Sequence, residues 1–365
     1  QEPGAYDIAT ATIRGSEFPD EEIVYSCHLD HPRPGANDNA SGCATILEVA
    51  RTLSKLVSEK RLAPPRRTIR FVWPAEIEGT LALLNGKPEL TKNIRAAIHL
   101  DMVGGGPETK AIFHVTRGPA SLPSFVHDVA QTIGAFVNEQ SAEYAMTGSA
   151  KWPMLASDGS KDPLRAAFVP LTLGSDHQVY NDSSFAIPAI YFNDWPDRYI
   201  HTNKDVPANI DSTKLARVAF LAAASGYVLA RITPNDTPAL QELLEPYALE
   251  RRANAMRKKT TAFNDWYERE MRASIARFFE GPRPVKRGVR GTMSAFGYDY
   301  FTDHYPKHAE IRLGDEYRYE ALNLNNGKRT TREITEMLSA IYGPVPEADV
   351  QQYLDALKSI GVILP

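Results

Sequence analysis

The feature that most constrains the fold is an alternation of short β-rich segments with helical segments, which runs from residue 7 to about residue 230. This alternation is typical of an α/β fold with a mostly parallel sheet. The central strand candidates are apolar on both faces, as strands covered by helices on both sides should be. Predicted strands span residues 6–13, 22–28, 68–73, 96–102, 167–173 and 189–192. Predicted helices, with apolar residues three and four positions apart, span residues 40–59, 80–85, 122–138 and 212–232.

The alternating region ends at the sequence TPNDT, residues 233–237, whose proline and aspartate stop the last helix. We therefore predict a first domain over residues 1–235, which carries the chemistry. Residues 236–300 are predicted to form a charge-rich helical segment and then a basic linker rich in proline and glycine, GPRPVKRGVRG, at 281–291. Residues 301–365, with predicted helices at 330–342 and 346–360, resemble a small winged-helix domain.

Composition narrows the class of protein. Apolar residues make up 43% of the 365 residues, and no apolar run reaches the roughly 20 residues that span a bilayer, so we do not expect a membrane protein. The formal charge of −4 provides no overall attraction to nucleic acid. Two cysteines, Cys27 and Cys43, are too few for a disulfide scaffold and fit either a reducing or an oxidising compartment. The start at Gln1 is interpreted as processing or trimming, which slightly favours a secreted or periplasmic location over a cytoplasmic one.

Histidine and acidic residues follow the ends of four predicted strands. His28 ends EIVYSCH, Glu76 follows TIRFVWPA and Asp101 ends AAIHLD. His201 lies shortly after AIYF, while Asp38 lies in the loop GANDNASG that opens the helix after the first of these strands. Because ligands bind at the carboxyl ends of strands in open parallel sheets, these five side chains are expected to converge on one edge. Imidazole with carboxylate is the ligand set expected of a zinc hydrolase.

Three neighbours of His28 also enter the prediction. Alternate residues of an extended segment share a side, so Asp30 is expected to hold the imidazole ring and raise its basicity. His31 is a competing ligand because it is closer to Asp38 in the sequence, but the strand-end position and the Asp30 partner favour His28. Cys27 should point to the opposite face and belong to the core.

Six motifs occur in the order found in zinc exopeptidases with paired metals: HLD, GANDNASG, AEIEG, HLDMVG, SDH at 175–177 and IHTNKDVPANID. Over roughly residues 5–230 the chain resembles metallopeptidase family twenty-eight, the group of bacterial leucyl aminopeptidases, glutamate carboxypeptidase and glutaminyl cyclases. The resemblance implies a three-layer α/β/α domain that acts on peptides. It also implies that Asp38 bridges two zinc ions, that His28 and Asp101 complete one site, and that His201 belongs to the other.

The same resemblance assigns roles to residues that are not ligands. Glu76 would be the general base, which takes a proton from the attacking water and returns it to the departing amine. Its alternative role is that of an acidic residue favoured at a helix N-terminus. Asp176 and His177 match the substrate-side motif of the family, and they either contact substrate or fix a nearby loop.

The chain departs from the family pattern at one position. Most relatives have a second glutamate directly after the general base, where it binds the metal that the final histidine also binds, and this chain has Ile77 there. Glu78, one residue later, could replace that ligand if the turn redirects its side chain. Otherwise the second site has only Asp38 and His201, so the number of zinc ions is one or two. A branch of the superfamily with a C-terminal winged helix also departs at this position.

Three functions follow from these patterns. The first is a metallo-exopeptidase, with aminopeptidase preferred over carboxypeptidase because Arg198 is the only arginine near the ligand motifs on the C-terminal side. The second is other amide chemistry on the same scaffold, such as cyclisation of N-terminal glutamine. The third is a non-catalytic regulator, but the basic residues that open the helix at 330–342 are soon followed by Glu333 and Glu336, so nucleic-acid binding is not expected. The sequence leaves homo-oligomer formation open.

Overall fold

The computed structural model describes residues 7–281 and 297–364, and its centre is a seven-stranded sheet. The strands are β1 (Ala9–Ile13), β2 (Phe18–Ser26), β3 (Arg67–Trp73), β4 (Ile94–Asp101), β5 (Phe113–Thr116), β6 (Ala167–Val169) and β7 (Ala189–Asp194). Their spatial order is β1-β3-β2-β4-β7-β5-β6. Strands β3, β2, β4 and β7 are parallel, whereas β1 is antiparallel to β3 and β5 is antiparallel to β7. The mixed, mostly parallel sheet confirms the predicted fold class.

Each predicted strand corresponds to a strand of this sheet, with bounds shifted by a few residues, but β5 was not predicted. Its four residues, FHVT, are too few to establish a period of alternation. The structure places β5 beside β7 through antiparallel hydrogen bonds, so its position depends on a partner more than 70 residues away in sequence. Only tertiary pairing identifies such a short strand.

The helices within residues 7–235 are α1 (Gly42–Ser58), α2 (Glu78–Gly86), α3 (Pro88–Thr91), α4 (Val126–Thr147), α5 (His177–Asn181) and α6 (Ser212–Arg231). They cover both faces of the sheet. On one face, buried side chains of β2 such as Ile23 and Tyr25 pack with α1, α4 and α6. On the other face, Val24 packs with α2 and α5. Successive residues of β2 therefore enter different apolar clusters, which produces the predicted three layers and leaves the strand ends free for polar side chains.

Helix α6 is long and apolar enough, by length and composition alone, to cross a membrane. It lies instead in the layered core, where its residues Val218, Leu221 and Leu229 are fully buried. It packs against α1, α4 and β3. Its apolar character is therefore explained by burial between these elements.

The rest of the described chain is helical. It comprises α7 (Thr237–Lys258), α8 (Thr261–Glu280), α9 (Gly297–His304), α10 (Asp315–Leu324), α11 (Thr331–Tyr342) and α12 (Glu347–Ser359). A winged helix needs a β-hairpin wing, and no strand occurs within residues 297–364. The winged-helix prediction is therefore not supported, and this unit is a helical one with its own apolar cluster. Apart from Gly281, the predicted basic linker lies outside the described residues.

Helix α10 attaches the C-terminal helical unit to the first domain through buried polar contacts. The Glu320 carboxylate accepts hydrogen bonds from the backbone N–H groups of Ala120, at 2.7 Å, and Ser121, at 2.8 Å. The Tyr319 hydroxyl donates to the backbone carbonyl of Gln178 at 2.5 Å. Because Glu320 is fully buried, these contacts define a specific docking arrangement.

The two cysteines form a disulfide bond, Cys27–Cys43, with 5.4 Å between their Cα atoms. Cys27 is fully buried in the apolar cluster that contains α1, as predicted from its position before His28. The pairing itself was not predicted, because sequence spacing alone does not show that the end of β2 lies against the first turn of α1. The bond joins the backbone next to His28 to the helix that follows the Asp38 loop.

Candidate metal centre

The loop that carries Asp38 is fixed by the polar side chains of the NDNAS sequence. It forms an irregular helical turn, Ala36–Ser41, in which Asp38 and Asn39 have non-helical backbone angles. The Asn39 side chain donates to the carbonyl of Leu100 at 3.0 Å and accepts from the N–H of Gly42 at 3.0 Å. A Cβ atom at Gly42 would lie 2.2 Å from Asn39 Oδ1 and 2.4 Å from the Leu100 carbonyl oxygen, so this position requires glycine. These contacts hold the loop against the end of β4.

Within this centre, Asp38 joins two groups of residues that could each hold a metal ion. The first group is His28, Asp38 and Asp101, and the second is His31, Asp38 and His201. Asp38 Oδ1 lies 3.2 Å from His28 Nε2. Asp38 Oδ2 lies 3.2 Å from His31 Nε2 and 3.1 Å from His201 Nε2. The carboxylate therefore presents one oxygen to each group.

Both histidines near the end of β2 are oriented by backbone carbonyl groups. The His28 Nδ1 atom lies 2.8 Å from the carbonyl oxygen of Asp30, and the His31 Nδ1 atom lies 2.5 Å from that of Arg33. Because a carbonyl only accepts, each Nδ1 carries the proton in these contacts. The Nε2 atom of each ring is then free to face Asp38, which is the arrangement of a metal-binding histidine.

The structure corrects the predicted contact of Asp30. Its carboxylate oxygen lies 3.8 Å from His28 Nδ1, too far for a hydrogen bond, and its backbone carbonyl holds the ring instead. The Asp30 carboxylate accepts the backbone N–H of Glu76 at 2.7 Å. Asp30 therefore links His28 to Glu76, through its backbone on one side and its side chain on the other.

Asp101 is held by a chain of buried hydroxyl and imidazole groups that sequence reasoning missed. Ser175 Oγ donates to Asp101 Oδ2 at 2.8 Å and contacts His99 Nε2 at 2.8 Å. The other nitrogen of His99 lies 2.9 Å from Ser26 Oγ. Burial lowers the pKa of His99 well below its ordinary value, so the ring is neutral and passes one hydrogen bond to Ser175. The signal in the sequence is the SDH motif, in which the family resemblance assigns roles to Asp176 and His177 but not to Ser175.

Asp176 and His177 do not present a surface to substrate, because both are fully buried. The Asp176 carboxylate accepts the backbone N–H of Ile77 at 2.8 Å, and the His177 Nε2 atom lies 2.6 Å from the carbonyl oxygen of Thr172. The His177 ring stacks on Tyr191 with 3.9 Å between ring centroids. Both therefore support the loops under the centre, which favours the predicted loop-fixing role over the alternative role of contacting substrate.

Glu76 lies beside the first group without belonging to it. Burial, and then the nearby carboxylates, raise the pKa of Glu76 to about 7, although the proximity of His28 opposes the shift. Glu78 belongs to neither group and is exposed on the first turn of α2, so the structure does not support its predicted role as a ligand. Ile77 turns away from the centre and packs against the apolar cluster of α2 and α5.

The spacing of the donor atoms is compatible with a divalent metal bound between them. Ionised pairs normally approach to about 2.7–2.9 Å. Here the imidazole-to-carboxylate separations are 3.1–3.2 Å. Two ligand atoms bound tetrahedrally at zinc distances lie about 3.3 Å apart, which is close to the observed spacing. Without a metal, burial lowers the pKa of His28, but the hydrogen bonds and negative charges of Asp101 and Asp38 outweigh burial and raise it to about 12.

A mostly parallel three-layer α/β fold with histidine and carboxylate side chains gathered at the carboxyl edge of its sheet defines an α/β protein with a candidate metal centre. The model of Peptidase family M28 matches residues 9–225, which is more than half of the chain. The chain therefore belongs to Peptidase family M28.

Curated relatives are similar to this chain over only a small part of their own length. An aminopeptidase of Pseudomonas aeruginosa is 35% identical over 106 residues, which cover 27% of this chain and 18% of that protein. Human transferrin receptor protein 2 is 25% identical over 236 residues, which cover 60% of this chain and 27% of the receptor. The matches thus span less than a third of either relative.

Two solved structures are similar to this chain at low sequence identity. One is the zinc aminopeptidase BSAP from Bacillus subtilis, at 21% identity over 62% of this chain and 50% of that chain, with a TM-score of 0.45. The other is the glutaminyl cyclase of Macrostomum lignano, at 18% identity over 62% of this chain and 71% of that chain, with a TM-score of 0.46.

Proposed function

We propose that this protein is a zinc-dependent aminopeptidase, which removes the first residue of a peptide with a free amino terminus. The observation that carries the proposal is the arrangement around Asp38. Its two oxygens face two separate ligand groups, and Glu76 stands beside one of them as a carboxylate that is not a ligand. Hydrolytic metal centres need this combination, with fixed ligands and a separate base.

In this proposal, His28, Asp38 and Asp101 hold one zinc ion, and Asp38 shares its second oxygen with a site that includes His201. Zinc supplies Lewis-acid chemistry, by which it polarises a carbonyl group and acidifies water. The ligands keep their geometry through their supporting contacts: Asp101 through Ser175, and His28 through the Asp30 carbonyl.

Glu76 is the proposed general base. A pKa of about 7 matches proton transfer near neutral pH, because such a carboxylate can both take a proton from water and return it to the departing amine. Asp30 holds the backbone of Glu76 at the centre through its N–H group.

The charges around the centre favour an amino terminus over a carboxyl terminus. The exposed Asp30 and the partly buried Glu76 place negative charge where a substrate ammonium group would be stabilised. A substrate carboxylate would need a cation, and the Arg198 guanidinium lies over the ring of its neighbour Tyr199, 4.5 Å from the ring centroid. We therefore propose aminopeptidase specificity rather than carboxypeptidase specificity.

The proposal is tested by incubating the zinc-loaded protein with short peptides whose amino termini are free or acetylated, with and without a chelator. We expect release of the first residue from free-amino peptides only, and loss of release with the chelator. The panel includes C-terminally amidated peptides and peptides that begin with glutamine. Release of the last residue instead, ring closure of N-terminal glutamine, or no turnover by zinc-loaded protein would each overturn the aminopeptidase proposal.

A further inference from the structure

We propose that His31 is the ligand that takes the place of the glutamate replaced by Ile77, so that His31, Asp38 and His201 form a second metal site. This inference deepens the proposed function and rests on it only in taking zinc as the metal. With this assignment, the centre consists of two adjacent metal sites that have different ligands. One half has a histidine and two carboxylates, and the other has two histidines and the shared carboxylate.

The division of Asp38 between its two oxygens is the first argument. Oδ1 faces His28, whereas Oδ2 faces both His31 and His201 at 3.2 and 3.1 Å. The three candidate ligand atoms of the second group all lie within 4.8 Å of one another. A bridging carboxylate needs a ligand group at each oxygen, and His31 and His201 supply one at Oδ2.

The orientation of the His31 ring is the second argument. Its Nδ1 atom lies 2.5 Å from the carbonyl oxygen of Arg33, so Nδ1 carries a proton and Nε2 faces Asp38. A neutral ring in this tautomer would point a lone pair at a carboxylate, which is unfavourable unless a cation lies between them. The segment that sets this orientation contains Pro32 and Pro34, whose fixed φ angles restrict the loop before any metal binds.

A simple ion pair does not explain why two rings meet one oxygen. The His201 side chain is 70% exposed, and holding an exposed side chain in one geometry for an ion pair has little net benefit. The His31 and His201 rings lie with their centroids 5.6 Å apart, close enough for both Nε2 atoms to reach one ion. Metal coordination provides a reason for both rings to converge on Asp38 Oδ2.

The position of Ile77 explains why another residue is needed. Its side chain packs with the apolar cluster beneath α2, and Asp176 accepts its backbone N–H at 2.8 Å. The side chain at the position that presents a ligand in most relatives therefore packs against an apolar cluster in this chain. His31 lies in the loop after β2, so it precedes Asp38 in the sequence, whereas Ile77 follows Asp38.

The two sites should differ in affinity, because the second has one carboxylate and two neutral imidazoles, and His201 is exposed. Imidazole suits zinc and other late transition metals, whereas magnesium and manganese prefer oxygen ligands. We expect zinc to fill the first site before the second, and the second ion to exchange more readily with solvent.

The test measures bound metal instead of activity. Metal-free wild-type protein, His31→Ala, His31→Gln, His201→Ala and the double variant H31A/H201A are titrated with zinc, and bound zinc is counted by elemental analysis. His308→Ala, at an exposed histidine of the C-terminal unit, is the matched control. We expect two ions in wild type and control, and one ion in each single variant, with no further loss in the double variant. The remaining ion should bind with affinity close to that of the tighter wild-type ion.

Thermal unfolding separates a ligand role from a structural one. Without metal, H31A should unfold at the wild-type temperature. With excess zinc, the rise in its unfolding temperature should be smaller than that of wild type, because one bound ion is missing. Retention of two ions by H31A at wild-type affinity, or one ion in wild type that H31A leaves unchanged, would overturn the inference. Two bound ions without peptide turnover would sink the proposed function alone and leave this site intact.

Discussion

Asp205 positions Asp38 through the backbone: its carboxylate accepts the N–H of Asp38 at 2.9 Å and that of the preceding residue, Asn37, at 2.7 Å. The two aspartates are 167 residues apart in sequence, and Asp205 is buried. The shared ligand of the centre is therefore oriented by the same loop that supplies His201. A carboxylate that accepts hydrogen bonds from two adjacent backbone N–H groups fixes the position of that backbone, an arrangement called here the Asp205 clamp.

Replacing Asp205 by alanine should weaken both metal sites together. Two buried N–H groups would lose their partner, so we expect the free energy of unfolding to fall by about 3 kcal/mol. Zinc affinity should fall about 10- to 100-fold, the usual effect of removing a group that orients a ligand. Denaturant unfolding and zinc titration measure the two effects. Asp20→Ala, at an exposed position of β2, is the control, and an unchanged zinc affinity in D205A would contradict the clamp.

Glu76→Gln should abolish peptide hydrolysis while zinc remains bound. Glutamine has the shape of glutamic acid but cannot accept the proton, and loss of a general base costs about 10²- to 10⁴-fold in rate. Turnover and bound zinc are measured on the same sample. Glu78→Gln, two residues along and exposed, should leave the rate unchanged. If E76Q retained wild-type activity, another group would have to be the base.

The same substitution should stabilise the metal-free protein at alkaline pH. Burial raises the pKa of Glu76 from its ordinary 4.5 to about 7, so between these values the folded state binds more protons than the unfolded state and stability falls as pH rises. Glutamine removes this penalty, which we expect to be about 1–2 kcal/mol after solvent screening. Thermal unfolding of the two proteins should differ at pH 8 and coincide near pH 4.5. A difference that is independent of pH would contradict the shift.

Ser175→Ala should loosen Asp101. The hydroxyl donates to Asp101 Oδ2 and contacts His99, and alanine leaves both without this partner. We expect zinc affinity to fall about tenfold and the free energy of unfolding to fall by about 1–2 kcal/mol. Ser58→Ala, at the exposed end of α1, should change neither quantity. Zinc titration that did not separate S175A from wild type would exclude an orienting role.

Glu320→Ala should detach or loosen the C-terminal helical unit. The substitution leaves the N–H groups of Ala120 and Ser121 without their buried acceptor, at a cost of about 3 kcal/mol. Cleavage by a protease should become faster within the unit, and denaturant unfolding should become less cooperative. Glu347→Gln, at the exposed start of α12, is the control. Wild-type stability in E320A would show that apolar contacts alone hold the unit.

The disulfide beside the metal centre should stabilise the folded protein. Cys27 and Cys43 are separated by 16 positions, and a closed loop of this size is stabilised by about 3 kcal/mol through restriction of the unfolded chain. Mass analysis of the alkylated, unreduced protein should detect no free thiol. The double variant C27A/C43A should unfold at lower denaturant concentration, and the same midpoint as wild type under non-reducing conditions would contradict this expectation.

Much of the fold followed from local patterns, and the exceptions have physical causes. Apolar segments with strand-like composition predicted six of the strands, because burial on both faces leaves a continuous local signal. The four residues of β5 were missed, since their assignment depends on antiparallel pairing with β7. The winged-helix interpretation rested on two correctly predicted helices, but a hairpin was needed as well, and none occurs in residues 297–364.

The metal centre, like the fold, was predicted only in part from the sequence. The order of motifs was enough to bring His28, Asp38, Asp101 and His201 to one edge, because the carboxyl ends of parallel strands coincide there. The sequence treated His31 and His28 as competitors, whereas the structure places each at a different oxygen of Asp38. It also could not show that Asp30 contacts His28 through its carbonyl, or that Asp176 is buried beneath Ile77.

The sequence by itself determined the α/β class, the edge at which the polar residues gather and the chemistry of the ligand set, because periodicity and strand-end position are local properties. Only the tertiary structure decided how each ligand side chain is oriented and which atom of a neighbouring residue it contacts. The orientation of Asp38 depends on Asp205, and that of Asp101 depends on Ser175 and His99, through hydrogen bonds between segments far apart in the chain. Such angular contacts act over about 3 Å, and no spacing along the sequence encodes them.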